Sequence, residues 1–216
     1  MPCPLGLEEL DLCDMPGTWE ATPLACIRSL RKLHLDGDGY LSASQLALMI
    51  ALQSLHACTP GVYAAVTGAL PALTRLTRLE LVASRDRHFD SGLDPDLAAP
   101  TAQLAVLLQD LSPLPSLWHL SMGGPAFKGA QTLDGETALP PKLEVLHLDY
   151  PIQIKANNEL LAFFDQPGRL SAVRIAGMSL GTDHGSVKEF RSALMLCAPA
   201  YVSVTVHRFS ERYSRA

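Results

Sequence analysis

Seven histidines and five cysteines are the side chains of this 216-residue chain with the most chemistry to offer. Imidazole and thiolate are zinc ligands, and a zinc site needs three or four of them converging. His34, His56 and Cys58 form the one grouping considered for that task. Only the two histidines make a convincing pair, so no metal or cofactor is assigned. The cysteines (Cys3, Cys13, Cys26, Cys58 and Cys197) are odd in number, scattered and without a C-x-x-C pair. Reduced thiols and a cytoplasmic setting fit that pattern. There is no G-x-S-x-G, no H-E-x-x-H, and no glycine-rich phosphate loop ending in Lys-Ser or Lys-Thr. No spacing brings Ser, His and Asp together. The expectation is a protein that is not an enzyme; an enzyme with an unrecognised site is the second alternative.

The segment His34–Gln45 carries a different chemistry, that of hard oxygen ligands. Asp36, Asp38, Gly39, Leu41 and Ser42 stand where an EF-hand calcium loop would place its positions 3, 5, 6, 8 and 9. The segment resembles such a loop, but His34 replaces its first carboxylate and Gln45 its last. Losing two charged oxygen ligands should cripple calcium affinity. An Asp-Gly turn is the favoured reading, with a calcium-responsive protein as the alternative.

What must position these residues is a leucine pattern running the length of the chain. Leu7-Leu10-Leu12, Leu30-Leu33-Leu35, Leu76-Leu79-Leu81 and Leu143-Leu146-Leu148 share the spacing L-x-x-L-x-L. Leu117-Leu120-Met122, Leu170-Val173-Ile175 and Tyr201-Val204-Val206 are apolar variants, and Leu52-Leu55-Ala57 is a weaker one. The copies start near residues 7, 30, 52, 76, 117, 143, 170 and 201. The 41-residue step between 76 and 117 is the outlier and holds an insertion, residues 84–111. Alternation over the last positions of each copy predicts a short strand with positions 4 and 6 inward and position 5 outward. Helical segments are expected at Val62–Leu70, Thr101–Leu111, Asn157–Phe164, Ser186–Leu196 and part of Ser44–Leu55. Ser186 and Glu189 have capping-box spacing.

These copies, "LEELDL", "LRKLHLDG", "LTRLEL" and "LEVLHLD" above all, resemble leucine-rich repeats over nearly the whole chain. Position 9, usually Asn or Cys in that family, reads Met15, Asp38, Pro60, Ser84, Pro125, Pro151, Met178 and Phe209 here, so no subclass is assigned. The resemblance implies an irregular α/β, right-handed leucine-rich-repeat solenoid of about eight coils forming a single domain, residues 1–216. Its parallel strands would line a concave face, with helices and irregular segments on the convex one. It also implies protein binding, as a scaffold or adaptor.

Composition narrows the partners. A net charge of −5 argues against a nucleic-acid binder. No apolar run is long enough to span a membrane, and no secretory signal is visible. The first motif begins at residue 7, without room for a capping unit. Either a neighbouring chain in a larger complex or further repeats of a longer array cover that end, or the first repeat is imperfectly stable; a small protein or a fragment of a longer array is the expectation.

The expected interaction surface is the outward side of the strands. Its candidate partner-binding residues are Arg31, His34, His56, Arg78, Glu80, Trp118, His119, His147, Tyr150 and Arg174. Trp and Arg are common interface anchors. Trp118 is expected either to anchor a partner protein or to pack beneath the 84–111 insertion. Glu8, Glu9 and Asp11 at one end, with Arg174 and Arg208 toward the other, suggest a polarity that would orient the partner.

Overall fold

The computed structural model describes residues 6–13, 27–36, 42–58, 62–82, 103–123, 130–149, 152–165, 170–181, 183–198, 203–207 and 209–210. In chain order the first elements are β1 (Glu9–Leu12), β2 (Lys32–Asp36), α1 (Ala43–Ala47), β3 (Ser54–Cys58), α2 (Val62–Ala69) and β4 (Arg78–Val82). Then come α3 (Leu104–Leu111), β5 (His119–Gly123), β6 (Ala130–Gln131), β7 (Val145–Leu148), β8 (Gln153–Ala156) and α4 (Asn158–Asp165). The last are β9 (Ala172–Ile175), β10 (Met178–Leu180), α5 (Val187–Cys197), β11 (Ser203–Val206) and β12 (Phe209–Ser210).

All eight apolar motifs form strands, and the eight strands make one sheet in the order β1-β2-β3-β4-β5-β7-β9-β11. Every pairing in it is parallel, and equal motif positions face each other. Leu10, Leu33, Leu55, Leu79, Leu120, Leu146, Val173 and Val204 form one continuous row. Leu12, Leu35, Ala57, Leu81, Met122, Leu148, Ile175 and Val206 form a second. The first leucine of each motif packs ahead of its strand; Leu30, Leu52, Leu76 and Leu117 are all buried. The pairing also extends backwards past the strands. The carbonyl of Glu8 accepts from the amides of both Arg31 and Lys32, Arg31 does the same for Gln53 and Ser54, and Gln53 for Thr77 and Arg78. One backbone oxygen per motif thus locks the next motif in register.

Return segments close the core from the opposite side. The expected helices are present as α1 to α5, and α1 and α5 both carry complete capping boxes, Ser42 with Gln45 and Ser186 with Glu189. The helix expected within Ser44–Leu55 is shorter than that span: it stops at Ala47, and Ser54 and Leu55 belong to β3. Residues 84–96 of the insertion lie outside the described residues, while its helical part is α3. Gln131 Oε1 accepts from the first amide of α3, that of Leu104, at 3.0 Å.

A second sheet was not legible in the sequence. β6, β8, β10 and β12 pair in parallel in the order β12-β10-β8-β6, on the return side of the later motifs. Gly177 and Gly181 bracket β10 for a steric reason. A Cβ on Gly177 would lie 3.1 Å from the Ile152 carbonyl oxygen, and one on Gly181 2.9 Å from that of Ala156. The chain is therefore α/β, with a core between a large parallel sheet and a return side of helices and short strands. Among the described residues no helix is long and apolar enough to cross a membrane.

The end strands are less covered than the middle ones: Leu10 and Leu12 in β1 and Val204 and Val206 in β11 are half-buried. Stability should therefore depend most on central residues. Leu120→Ala, at a position with no exposure, is expected to cost about 3–4 kcal/mol. Leu48→Ala, at an exposed position, should stay within about 0.5 kcal/mol. Urea unfolding of the two variants checks this contrast.

Candidate functional site

The register that stacks the leucines also stacks the side chains between them. Asp11, His34, His56, Glu80, Ser121, His147, Arg174 and Thr205 form a row across the outward face of the large sheet. Adjacent strands lie about 4.8 Å apart, so neighbours in such a row touch. Asp11 Oδ2 is 3.3 Å from His34 Nδ1. The rings of His34 and His56 meet edge to face with centroids 4.2 Å apart. His56 Nδ1 is 2.7 Å from Glu80 Oε2.

Glu80 is the hub of this stretch. Arg78 donates to its other oxygen through Nε at 2.7 Å, and His119 Nε2 stands 3.5 Å from that same oxygen. Burial works against the Glu80 charge, but the hydrogen bonds from His56 and Arg78 outweigh it, and its pKa lies below the usual carboxylate value. A separate cluster holds the far end. Asp149 Oδ1 pairs with Arg174 at 3.3 Å, and Asp149 Oδ2 accepts from Ser121 Oγ at 3.3 Å.

The structure corrects the expectation for His119, which is not an exposed face residue but 8% exposed. It is wedged between Trp118 and His147, with ring centroids 5.5 Å and 5.2 Å away. Packing between two aromatic neighbours removes it from water. That burial, with the nearby Arg78 guanidinium, pushes its pKa below the ordinary histidine value. Among the described residues, its buried Nε2 has no hydrogen-bond partner. Trp118 is 40% exposed and borders a shallow groove with Lys32, His34, His56, Arg78 and Glu80. Residues 84–96, proposed from sequence to cover it, lie outside the described residues, as does Tyr150. Arg31, Arg78 and Arg174 are exposed, whereas His34, His56, Glu80 and His147 are half-buried.

The expected end-to-end charge polarity is muted by local pairing. Arg31 lies 3.8 Å from Glu8, Lys32 pairs with Glu9, and Arg174 is taken by Asp149. Arg208 is outside the described residues.

One cluster was missed by sequence reasoning. Cys13 follows β1 and shares the outward face with Asp11, two residues before it. Its Sγ donates to Asp11 Oδ1 at 2.7 Å and lies 3.4 Å from His34 Nδ1. The hydrogen bond from Cys13 is the leading reason that the Asp11 pKa is lowered. The signal was the D-x-C at 11–13 set against a histidine at the same motif position of the next copy. The grouping considered from sequence, His34, His56 and Cys58, is not the one the structure assembles. His56 turns to Glu80, and Cys58 pairs in register with Asp36. Burial and the Asp36 carboxylate push the Cys58 thiol up to about 11.

The calcium-loop segment lies partly outside the described residues, at 37–41. Its flanks differ from a helix–loop–helix: His34 is in strand β2, and Gln45 Oε1 accepts from the Ser42 amide at 2.9 Å as part of the α1 cap. The side chain at the last ligand position is thus already engaged.

No protein-family model matches this sequence, and no curated protein matches it either.

Glu80 has a depressed folded pKa, so its contribution to stability is present above the unfolded value of about 4.3 and is lost as pH falls through the folded one. His119 also titrates lower when folded, so the unfolded chain holds more protons below about pH 6.5 and acidification again destabilises. Glu80→Gln is expected to lose roughly 1–2 kcal/mol at neutral pH. That difference should shrink toward zero below the folded Glu80 pKa, as read by urea unfolding across pH. Millimolar calcium is expected to leave the unfolding temperature of wild type and Asp38→Ala unchanged; a calcium-dependent rise lost in Asp38→Ala would instead identify a working loop.

Proposed function

We propose that the chain is a right-handed leucine-rich-repeat solenoid that recognises a partner protein through its outward, concave strand face, without catalysis. The observation that carries this reading is the unbroken outward row across eight parallel strands in matching register. Such a surface is wide and shallow, which suits extended contact with a macromolecule better than enclosure of a small substrate. The agreement of repeat spacing in the sequence with strand order in the sheet supports the repeat reading.

The face also carries anchors of the kind that dominate protein interfaces. Trp118 offers a large apolar surface that is costly to leave in water, beside the Arg78–Glu80–His56 cluster. Arg174 lies three strands from Arg78 in the same sheet and is held out by Asp149. The Arg31–Glu8 and Lys32–Glu9 pairs at the edge of the face are exposed, so each adds little to stability by itself and leaves polar groups for a partner to meet. His119 belongs in this reading as a buried support beneath Trp118, rather than as a contact.

Affinity capture with the wild-type chain, followed by titration with the purified captured protein, tests the proposal. Trp118→Ala combined with Arg174→Ala should stay folded by circular dichroism and weaken binding at least about tenfold. Equal affinity of a folded double variant would move the interface off this face and overturn the reading.

A further inference from the structure

We propose that Asp11, Cys13 and His34 form a binding site for one divalent cation of the zinc type, at the β1 end of the outward face. The donors come from two chain segments that the backbone already holds together. Asp11 pairs directly with His34 in the β1–β2 register, and Cys13 projects to the same side as Asp11 because two residues separate them on extended chain. No large movement of the main chain is needed to make the three converge.

Two of the distances fit a coordination shell, and the third contact, the 2.7 Å hydrogen bond from Cys13 Sγ to Asp11 Oδ1, is given up when the thiol loses its proton to a metal. Ligand atoms around a tetrahedral zinc stand about 3.2–3.7 Å apart, given bonds of roughly 2.0–2.3 Å. Here Cys13 Sγ is 3.4 Å from His34 Nδ1, and His34 Nδ1 is 3.3 Å from Asp11 Oδ2. One oxygen of Asp11, the thiol and an imidazole nitrogen all lie within 4.8 Å of one another. The sulfur is nearly equidistant from both ring nitrogens, at 3.4 and 3.5 Å, so the ring must turn to aim the Nδ1 lone pair at a shared ion. Asp11 and Cys13 are exposed and His34 is half-buried, which leaves room for that rotation.

The donor types select the cation. One thiolate, one imidazole and one carboxylate suit zinc, whereas calcium and magnesium require oxygen ligands. Charge also balances: a doubly positive ion meets one carboxylate and one thiolate, with the imidazole neutral. Binding breaks the Cys13 S–H bond and releases one proton to solvent while the sulfur–metal bond forms, so affinity should rise with pH. Solvent water fills the fourth position. Lys32 on β2 and Arg31 just before it are directed to Glu9 and Glu8. Cys58 supplies an internal contrast. It has the same chemistry, but its thiol is held protonated beside Asp36, and its neighbour His56 is turned to Glu80. This inference does not rest on the recognition of a partner protein.

The test uses the full chain, free of any histidine tag and kept reduced by a thiol-free reductant. Zinc affinity is measured by competition with a chromophoric chelator, and cobalt substitution reports sulfur ligation through a thiolate-to-metal charge-transfer band. The expected result is one equivalent bound, with the cobalt band abolished in Cys13→Ser and zinc affinity lowered at least about tenfold in Cys13→Ser and His34→Ala. Cys58→Ser should bind like wild type. Circular dichroism checks each variant's fold; Cys13→Ser changes an exposed atom beyond the strand end, so it keeps the test informative if His34→Ala unfolds. Absence of stoichiometric zinc binding would overturn the site. So would binding undiminished in Cys13→Ser, or lost in Cys58→Ser instead.

Discussion

A strand carrying leucine at two alternate positions has one apolar side and cannot bury it alone. In this chain the burial is achieved by repetition in register: Leu33, Leu55, Leu79, Leu120 and Leu146 lie in one row and are shielded on both flanks by their equivalents. The backbone enforces the row, because one carbonyl ahead of each of the first six strands of the large sheet accepts two amides from the next motif. A slip of one residue in any pairing would send a whole leucine set to the water side. Everything else in the structure follows from that register, including which polar residues meet on the other face.

The outward face is thus constrained by the inward one. Side chains between the leucines are brought within contact distance, so repeated like charges would repel. Here the acidic side chains each sit against a basic or imidazole neighbour. Asp11 meets His34, His56 meets Glu80, and Asp149 beside the row takes Arg174. Glu80 carries the densest part, with hydrogen bonds from His56 and Arg78 that hold it ionised despite partial burial. Trp118 then covers one side of His119 while His147 covers the other. A histidine that alternation alone would place in water becomes part of the packing.

Environment, more than residue type, separates the two thiols of this face. Cys58 lies within the sheet beside Asp36, where burial and a carboxylate keep its proton in place. Cys13 lies just past the end of β1, exposed, with Asp11 and His34 around it. Both share the i, i+2 spacing with an outward polar residue in their own motif. What differs is how many neighbouring strands cover them, and that depends on position along the sheet.

The eight strands of the large sheet, their order and the identity of both inward rows were legible in the sequence, because alternation at recurring spacing admits one way of stacking. Helix locations were legible too, through caps such as Ser186–Glu189. The second sheet was not: β6, β10 and β12 are two or three residues long, too short for any periodicity, and exist because neighbouring return segments offer unpaired backbone. The outward row was foreseen residue by residue, but its pairing was not. Sequence placed His34 beside His56, and the two rings do meet; side-chain packing also gave His56 to Glu80, left Cys58 beside Asp36, drew Cys13 to His34, and buried His119. The sequence by itself determined which side chains share a face, since that depends only on the two-residue period of a strand. Only the tertiary structure decided which of them touch and which lose water, since those depend on rotamers and cover supplied by residues far apart in the chain.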